Sequence, residues 1–181
     1  MTLKQQTDVA VLGALSVEPM TGYALRKAIR DVLGHFWSES FGQIYPALAQ
    51  LRADGLVERT HEDADSKSKF TITPRGLAHL RTRLAEPAQS ARQRNGTLLR
   101  LFFGRQLGVE GCRRLLEDAR SQAVQQLEQF DAIRREIEAE QPSADHPFFL
   151  LTVSAGEHAA RSTAMWVEES MRALDRIESA S

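Results

Sequence analysis

A single cysteine, Cys112, stands among the 181 residues, which excludes an intrachain disulfide and any metal site built from cysteines alone. It reads as a small core residue. The five histidines, His35, His61, His79, His146 and His158, are scattered without the paired spacing of metal ligands. There is no glycine-rich phosphate loop, no nucleophile elbow and no paired catalytic signature, so neither an enzyme nor a cofactor is expected. Hydrophobic runs are short, and none approaches the roughly 20 residues of a membrane span. The apolar stretch from Val9 to Leu15 is flanked by Asp8 and fits an amphipathic helix better than a signal peptide. No membrane partner and a cytoplasmic address are the expectations that follow.

An excess of one charge sign is missing as well, the formal net charge being -1. The balance is uneven along the chain, however. Residues 1–95 hold 13 Lys and Arg against 10 Asp and Glu, whereas residues 96–181 hold 10 against 14, so the two halves differ in the partners they suit. The composition, 42% hydrophobic and 26% charged, is that of a globular protein able to bury a core.

What the chain does have is a succession of short amphipathic segments. Thr7 or Asp8 is the expected start of a first helix that buries Val9, Leu12 and Leu15 and ends before Glu18-Pro19, because a residue ahead of proline leaves the helical region. Thr21 is a good cap for a second helix, carrying Tyr23, Leu25, Ala28, Ile29 and Val32 and ending at Gly34. The stretch FWSESFGQIYPALAQLRADGLV, residues 36–57, predicts a third. Ser38, Glu39 and Ser40 offer caps, Pro46 falls near the first turn, and Gly55 suits a left-handed end. Phe41, Ile44, Leu48 and Leu51 recur at spacings of three and four and share a face to be buried. Gln43, Tyr45, Gln50 and Arg52 lie opposite.

Two short strands, from Leu56 to Thr60 and from Phe70 to Ile72, follow with the polar tip HEDADSKSK between them. Three helices and a hairpin in about 70 residues is the order of a winged helix-turn-helix, which places its third helix in the DNA major groove. On that reading Gln43 can pair with an adenine edge. Ser40, at a helix N-terminus, and Tyr45, through its hydroxyl, suit phosphates, as do Lys67 and Lys69 on the hairpin tip. Tyr23 has two readings, a DNA contact or a ring packed between helices.

The runs AVLGALSVEPMTGYALRKAI, FWSESFGQIYPALAQLRADGLV and KFTITPRG resemble the N-terminal domain of the PadR family of bacterial transcriptional regulators. The Met-Thr-Gly-Tyr turn, the Gly-Gln-Ile-Tyr-Pro-x-Leu core and the Ile-Thr-Pro-x-Gly after the hairpin match in order and spacing. The resemblance implies a homodimer that binds a palindromic double-stranded DNA operator, usually as a repressor, with Tyr23, Ser40, Gln43, Tyr45 and Lys69 near the DNA. Lys67-Ser68-Lys69-Phe70 departs from the family's usual return strand. A protein-interaction module without sequence-specific DNA binding is the alternative.

Thr73-Pro74 opens a fourth helix, and Asn95-Gly96 marks the boundary between a DNA-binding domain, 1–95, and a helical dimerisation domain, 96–181. In the latter, apolar residues recur from Val109 to Ile137 and again from Phe149 to Ile177 at heptad spacing, broken in the first run by Gln126. Two long helices of this kind fold back as an antiparallel coiled-coil hairpin. That layout is similar to the virulence-activator-like branch of the family, and the overall class is mainly α. Leu116, Leu127, Phe130, Trp166, Val167, Met171 and Leu174 are the expected dimerisation residues. Phe102, Phe103, Phe149 and Trp166 are candidates for a pocket holding a small aromatic or apolar effector, although clustered aromatics more often form core.

Overall fold

The computed structural model describes residues 3–34, 41–60, 68–87 and 95–179. Its chain forms two compact units, Met1–Ala91 and Arg92–Ser181, each with its own packing.

In the first unit, α1 (Leu3–Val17), α2 (Gly22–Ala28), α3 (Phe41–Ala53) and α4 (Pro74–Leu84) surround a core with a small sheet at its edge. The helix starts are set by hydroxyl caps. Thr21 accepts from the Ala24 N–H at 3.1 Å to open α2, and Thr73 accepts from the Gly76 N–H at 3.0 Å to open α4 behind Pro74. After Ala28 the chain continues as one π-helical stretch, Ile29–Leu33, ending at Gly34. The core gathers Val11, Leu12 and Leu15 from α1, Leu25 and Ile29 from the second helical segment, Ile44, Leu48 and Leu51 from α3, and Leu80 from α4. α3 ends as its sequence implies, with Gly55 at φ 69°.

Four details depart from the sequence reading. α1 begins at Leu3 rather than at Thr7 or Asp8, since Thr7 is itself buried inside the helix. A third strand exists: β1 (Met20–Thr21), β2 (Val57–Thr60) and β3 (Lys69–Ile72) form an antiparallel sheet in the order β1-β3-β2. Met20 pairs with Phe70, and Thr21 with Lys69. Pro46 lies in the helix interior, so the carbonyl of Gly42 receives no N–H from it. Finally, β2 begins at Val57 rather than Leu56, and β3 at Lys69 rather than Phe70.

One cost is visible in this core. An oxygen of the Asp8 carboxylate is buried with no hydrogen-bond partner, and burial, opposed by Lys4, His79 and Arg83, raises its pKa. With the folded value above the unfolded one, stability falls as pH rises through that window, and the full penalty is present at neutral pH. Asp8→Asn is therefore expected to melt higher than the parent at pH 7, with the advantage shrinking below the ordinary carboxylate range near pH ~3.9. Thermal melts at both pH values check it.

In the second unit, Asn95 caps α5 (Gly96–Phe102) by accepting from the Leu98 N–H at 2.9 Å. Two long helices follow, α6 (Gly104–Ala139), broken at Gly108 (φ 75°, ψ 164°), and α7 (His146–Ser179). Polar side-chain contacts mark an antiparallel register. Arg113 meets Asp175 at 3.0 Å and Glu178 at 3.1 Å at one end, Arg134 meets Glu157 at 2.9 Å midway, and His146 meets Glu140 at 3.3 Å beside the turn. Glu157 is buried and also accepts from Arg161 at 3.2 Å. The hydrogen bond from Arg134 holds its carboxyl below the ordinary range. Cys112, Leu116, Ala123 and Phe130 pack inward from α6, and Val153, Ala160 and Val167 from α7. The seam passes through half-buried Leu127, while Gln126 is exposed. The polar interruption expected from the sequence is thus absent from the seam, and Gln126 has no register to set. Among the described residues, no helix is long and apolar enough to cross a membrane.

Candidate nucleic-acid interface

The two faces of α3 divide sharply. Ile44, Leu48 and Leu51 are almost fully buried, whereas Gln43, Tyr45, Gln50 and Arg52 are all exposed. Anchored from behind by three aliphatic side chains, the helix presents its polar face as a rigid surface. Tyr45 is 48% exposed and Tyr23, in the first turn of α2, is 72% exposed, so the Tyr23 ring is not packed between helices.

Gly22 brings the first turn of α2 to α3. A Cβ built on Gly22 would lie 2.9 Å from Cε1 of the Tyr45 ring, so that ring rests directly on the Gly22 backbone. The Met-Thr-Gly-Tyr turn and the Gly-Gln-Ile-Tyr-Pro helix, separate motifs in the sequence, are here one surface. Met20 and Thr21 of the same turn are held by β3 of the wing.

Lys69 sits half-buried on β3, opposite Thr60, whose hydroxyl donates to the Lys69 carbonyl at 3.4 Å. Arg59, one residue back on β2, is exposed. Ser40 and Lys67 lie outside the described residues.

The helical unit redistributes the remaining candidates. Leu116, Phe130 and Val167 are buried between α6 and α7 of one chain, so they belong to the hairpin's own core and have no surface to offer a second copy. Leu127, Trp166, Met171 and Leu174 are half-buried and keep some. The four pocket candidates are not brought together within a chain. Phe102 and Phe103 pack edge to face at 5.2 Å near the start of α6, whereas Phe149 lies beside His146 at the opposite end of the hairpin. At about 1.5 Å per residue, roughly 40 Å separates those ends, and Trp166 is about 25 Å along α7 from Phe149. Phe102, 83% exposed, leads an uncovered row on α5 that includes Leu98, Leu99 and Phe103. Among the described residues, no cluster of His, Cys, Asp and Glu is arranged to hold a metal.

Comparison with known proteins accounts for both units. Residues 11–82 match the transcriptional regulator PadR-like family and residues 93–175 the virulence activator alpha C-terminal family. The chain joins a PadR-like domain of transcriptional regulators to a virulence activator alpha C-terminal domain. Its first unit is similar to the negative transcriptional regulator PadR of Bacillus subtilis, 34% identical over 74 residues, a stretch covering 39% of this chain and 41% of that protein. A probable transcriptional regulator of Mycobacterium tuberculosis is 24% identical over 182 residues, covering 91% of this chain and 95% of the relative. Among solved structures, Bacillus subtilis PadR in complex with operator DNA superposes with a TM-score of 0.78 at 21% identity, covering 92% of this chain and 98% of that one. The PadR-like fold, a winged helix followed by long C-terminal helices, is therefore common to the relatives. Such regulators are not enzymes.

Proposed function

We propose that this PadR-like regulator is a homodimeric repressor that binds a palindromic operator, with residues 1–95 reading DNA and residues 96–181 pairing the two copies. The observation that carries the reading is the outward face of α3, where Gln43 and Tyr45 are exposed on a helix whose other side is locked into the core. Gln43 takes the base edge and Tyr45 a phosphate, joined by Tyr23 from α2 and by Lys69 on β3. Ser40 and Lys67 complete the proposed set. Pairing is proposed through the uncovered row on α5 together with Leu127, Trp166, Met171 and Leu174, because monomeric proteins rarely leave contiguous apolar surface open. A two-fold pair would set its two α3 helices about 34 Å apart, one turn of the double helix.

A small aromatic effector is proposed as well. Bacillus subtilis PadR was solved in complex with p-coumaric acid, and in this chain Phe102 and Phe103 stand exposed on the uncovered row, where a second copy would enclose them.

The test uses the full chain. Light scattering is expected to give twice the 20.2 kDa mass of one chain, and selection from a random DNA pool is expected to enrich an inverted repeat. A monomeric mass, or a pool that enriches no sequence, would overturn the reading.

A further inference from the structure

We infer that Gly22 is a positioning residue for DNA binding: its missing side chain is what allows the Tyr45 ring to lie where it can reach the phosphate backbone. The inference rests on the reading of Tyr45 as a backbone contact and adds a requirement to it. The contact is made by one edge of the ring. From the Cβ position of Gly22, Cε1 is 2.9 Å away, and its two ring neighbours, Cδ1 and the hydroxyl-bearing Cζ, are both 3.8 Å away. A methyl group there would press on that edge and displace the ring, carrying the hydroxyl with it. Carbon atoms settle at about 3.5–4.0 Å, so the ring would have to shift by roughly 0.6 Å or turn away. Such a shift is enough to spoil a hydroxyl-to-phosphate hydrogen bond, whose useful range is only about 2.5–3.0 Å.

The position is otherwise undemanding, which is why the ring, not the turn, should give way. Gly22 is the first residue of α2, capped by the Thr21 hydroxyl, and its φ is not in the left-handed region. An alanine suits a first helical turn as well or better. On the other side Thr21 is paired to Lys69 of β3, which keeps the turn from retreating. The Tyr45 ring, half exposed, is the part free to move.

The experiment compares the full-length chain with Gly22→Ala, Tyr45→Ala, Tyr45→Phe and the Gly22→Ala/Tyr45→Ala double variant, titrating each with the selected operator and with unrelated DNA. The chain has two tyrosines, so ring-labelled tyrosine gives two NMR signals, and Tyr45→Phe identifies which belongs to Tyr45. Gly22→Ala is expected to keep the parent melting temperature, to displace the Tyr45 ring from position 22, and to lower affinity about tenfold, the scale of a hydrogen bond to a charged group. The loss should be equal on both DNAs, since phosphates carry no sequence, and should vanish in the Tyr45→Ala background. Full affinity in Gly22→Ala, an unmoved ring, or the same tenfold loss without Tyr45 would overturn the proposal. If the ring moves but Tyr45→Ala and Tyr45→Phe bind as the parent does, the reading of Tyr45 as a DNA contact fails and takes the proposal with it. Should Gly22→Ala not fold, Gly22→Ser introduces the same Cβ in a residue equally at home at a helix start.

Discussion

Gln43→Ala is expected to weaken binding to the selected operator by roughly 5- to 100-fold, the range of one well-made bidentate contact to a base, while binding to unrelated DNA changes little. The asymmetry follows from geometry. Gln43 lies on the exposed face of α3, away from Ile44, Leu48 and Leu51, so its removal opens no cavity and should leave folding intact. Its amide pairs a donor with an acceptor, the pattern that matches an adenine edge. Phosphate contacts from the other residues supply affinity that does not depend on sequence, and they remain. Gel-shift titrations at one fixed salt concentration read both affinities. An equal loss on both DNAs would mean that Gln43 touches the backbone and that base reading lies elsewhere on the helix.

The second large effect is expected in the hairpin. Gly156 lies in α7, and a Cβ built there would overlap the outer edge of the buried Phe130 ring, at Cζ and both Cε atoms. Considered as a helix residue alone, Gly156→Ala should stabilise, since glycine costs about 1 kcal/mol relative to alanine in a helix interior. Packing opposes this. The Phe130 ring must be driven out of the seam, forfeiting the roughly 1.5–3 kcal/mol that burial of such a side chain provides, or the helices must part, at the cost of overpacking, about 1–3 kcal/mol. Steric exclusion should win, and the midpoint of unfolding of this unit should drop by about 5 °C or more. A rise in the midpoint, measured by circular dichroism or calorimetry, would show that the close approach of α6 and α7 is not needed.

Much of this was legible in the chain itself, and the exceptions share a cause. The caps at Thr21 and Thr73, the end of α3 at Gly55 and the buried stripe of Ile44, Leu48 and Leu51 are local properties of spacing and residue type, and the structure has them. Strand β1 leaves no mark in the sequence because two residues carry no alternation; Met20 and Thr21 are paired with β3, a non-local neighbour. The contact of Gly22 with Tyr45 joins segments more than twenty positions apart, which no local pattern reports. In the hairpin, periodicity identified inward positions but not what they face. Leu116, Phe130 and Val167 pack inside one chain, and the same stripe would have served a partner equally well. A strict three-four alternation puts Gln126 in the seam, but from Ala123 the helix takes a step of four, so that Leu127 occupies the inward position.

The ties along the hairpin have an evolutionary implication. Arg113 with Asp175, Arg134 with Glu157 and Glu140 with His146 are rungs of one ladder, and α6 and α7 keep a common rhythm between them. Descendants can lengthen or shorten this arm by whole sevens only if both strands of the ladder change together. A gain on one side alone would leave every rung beyond it mismatched, so arm length should drift among kin in matched steps.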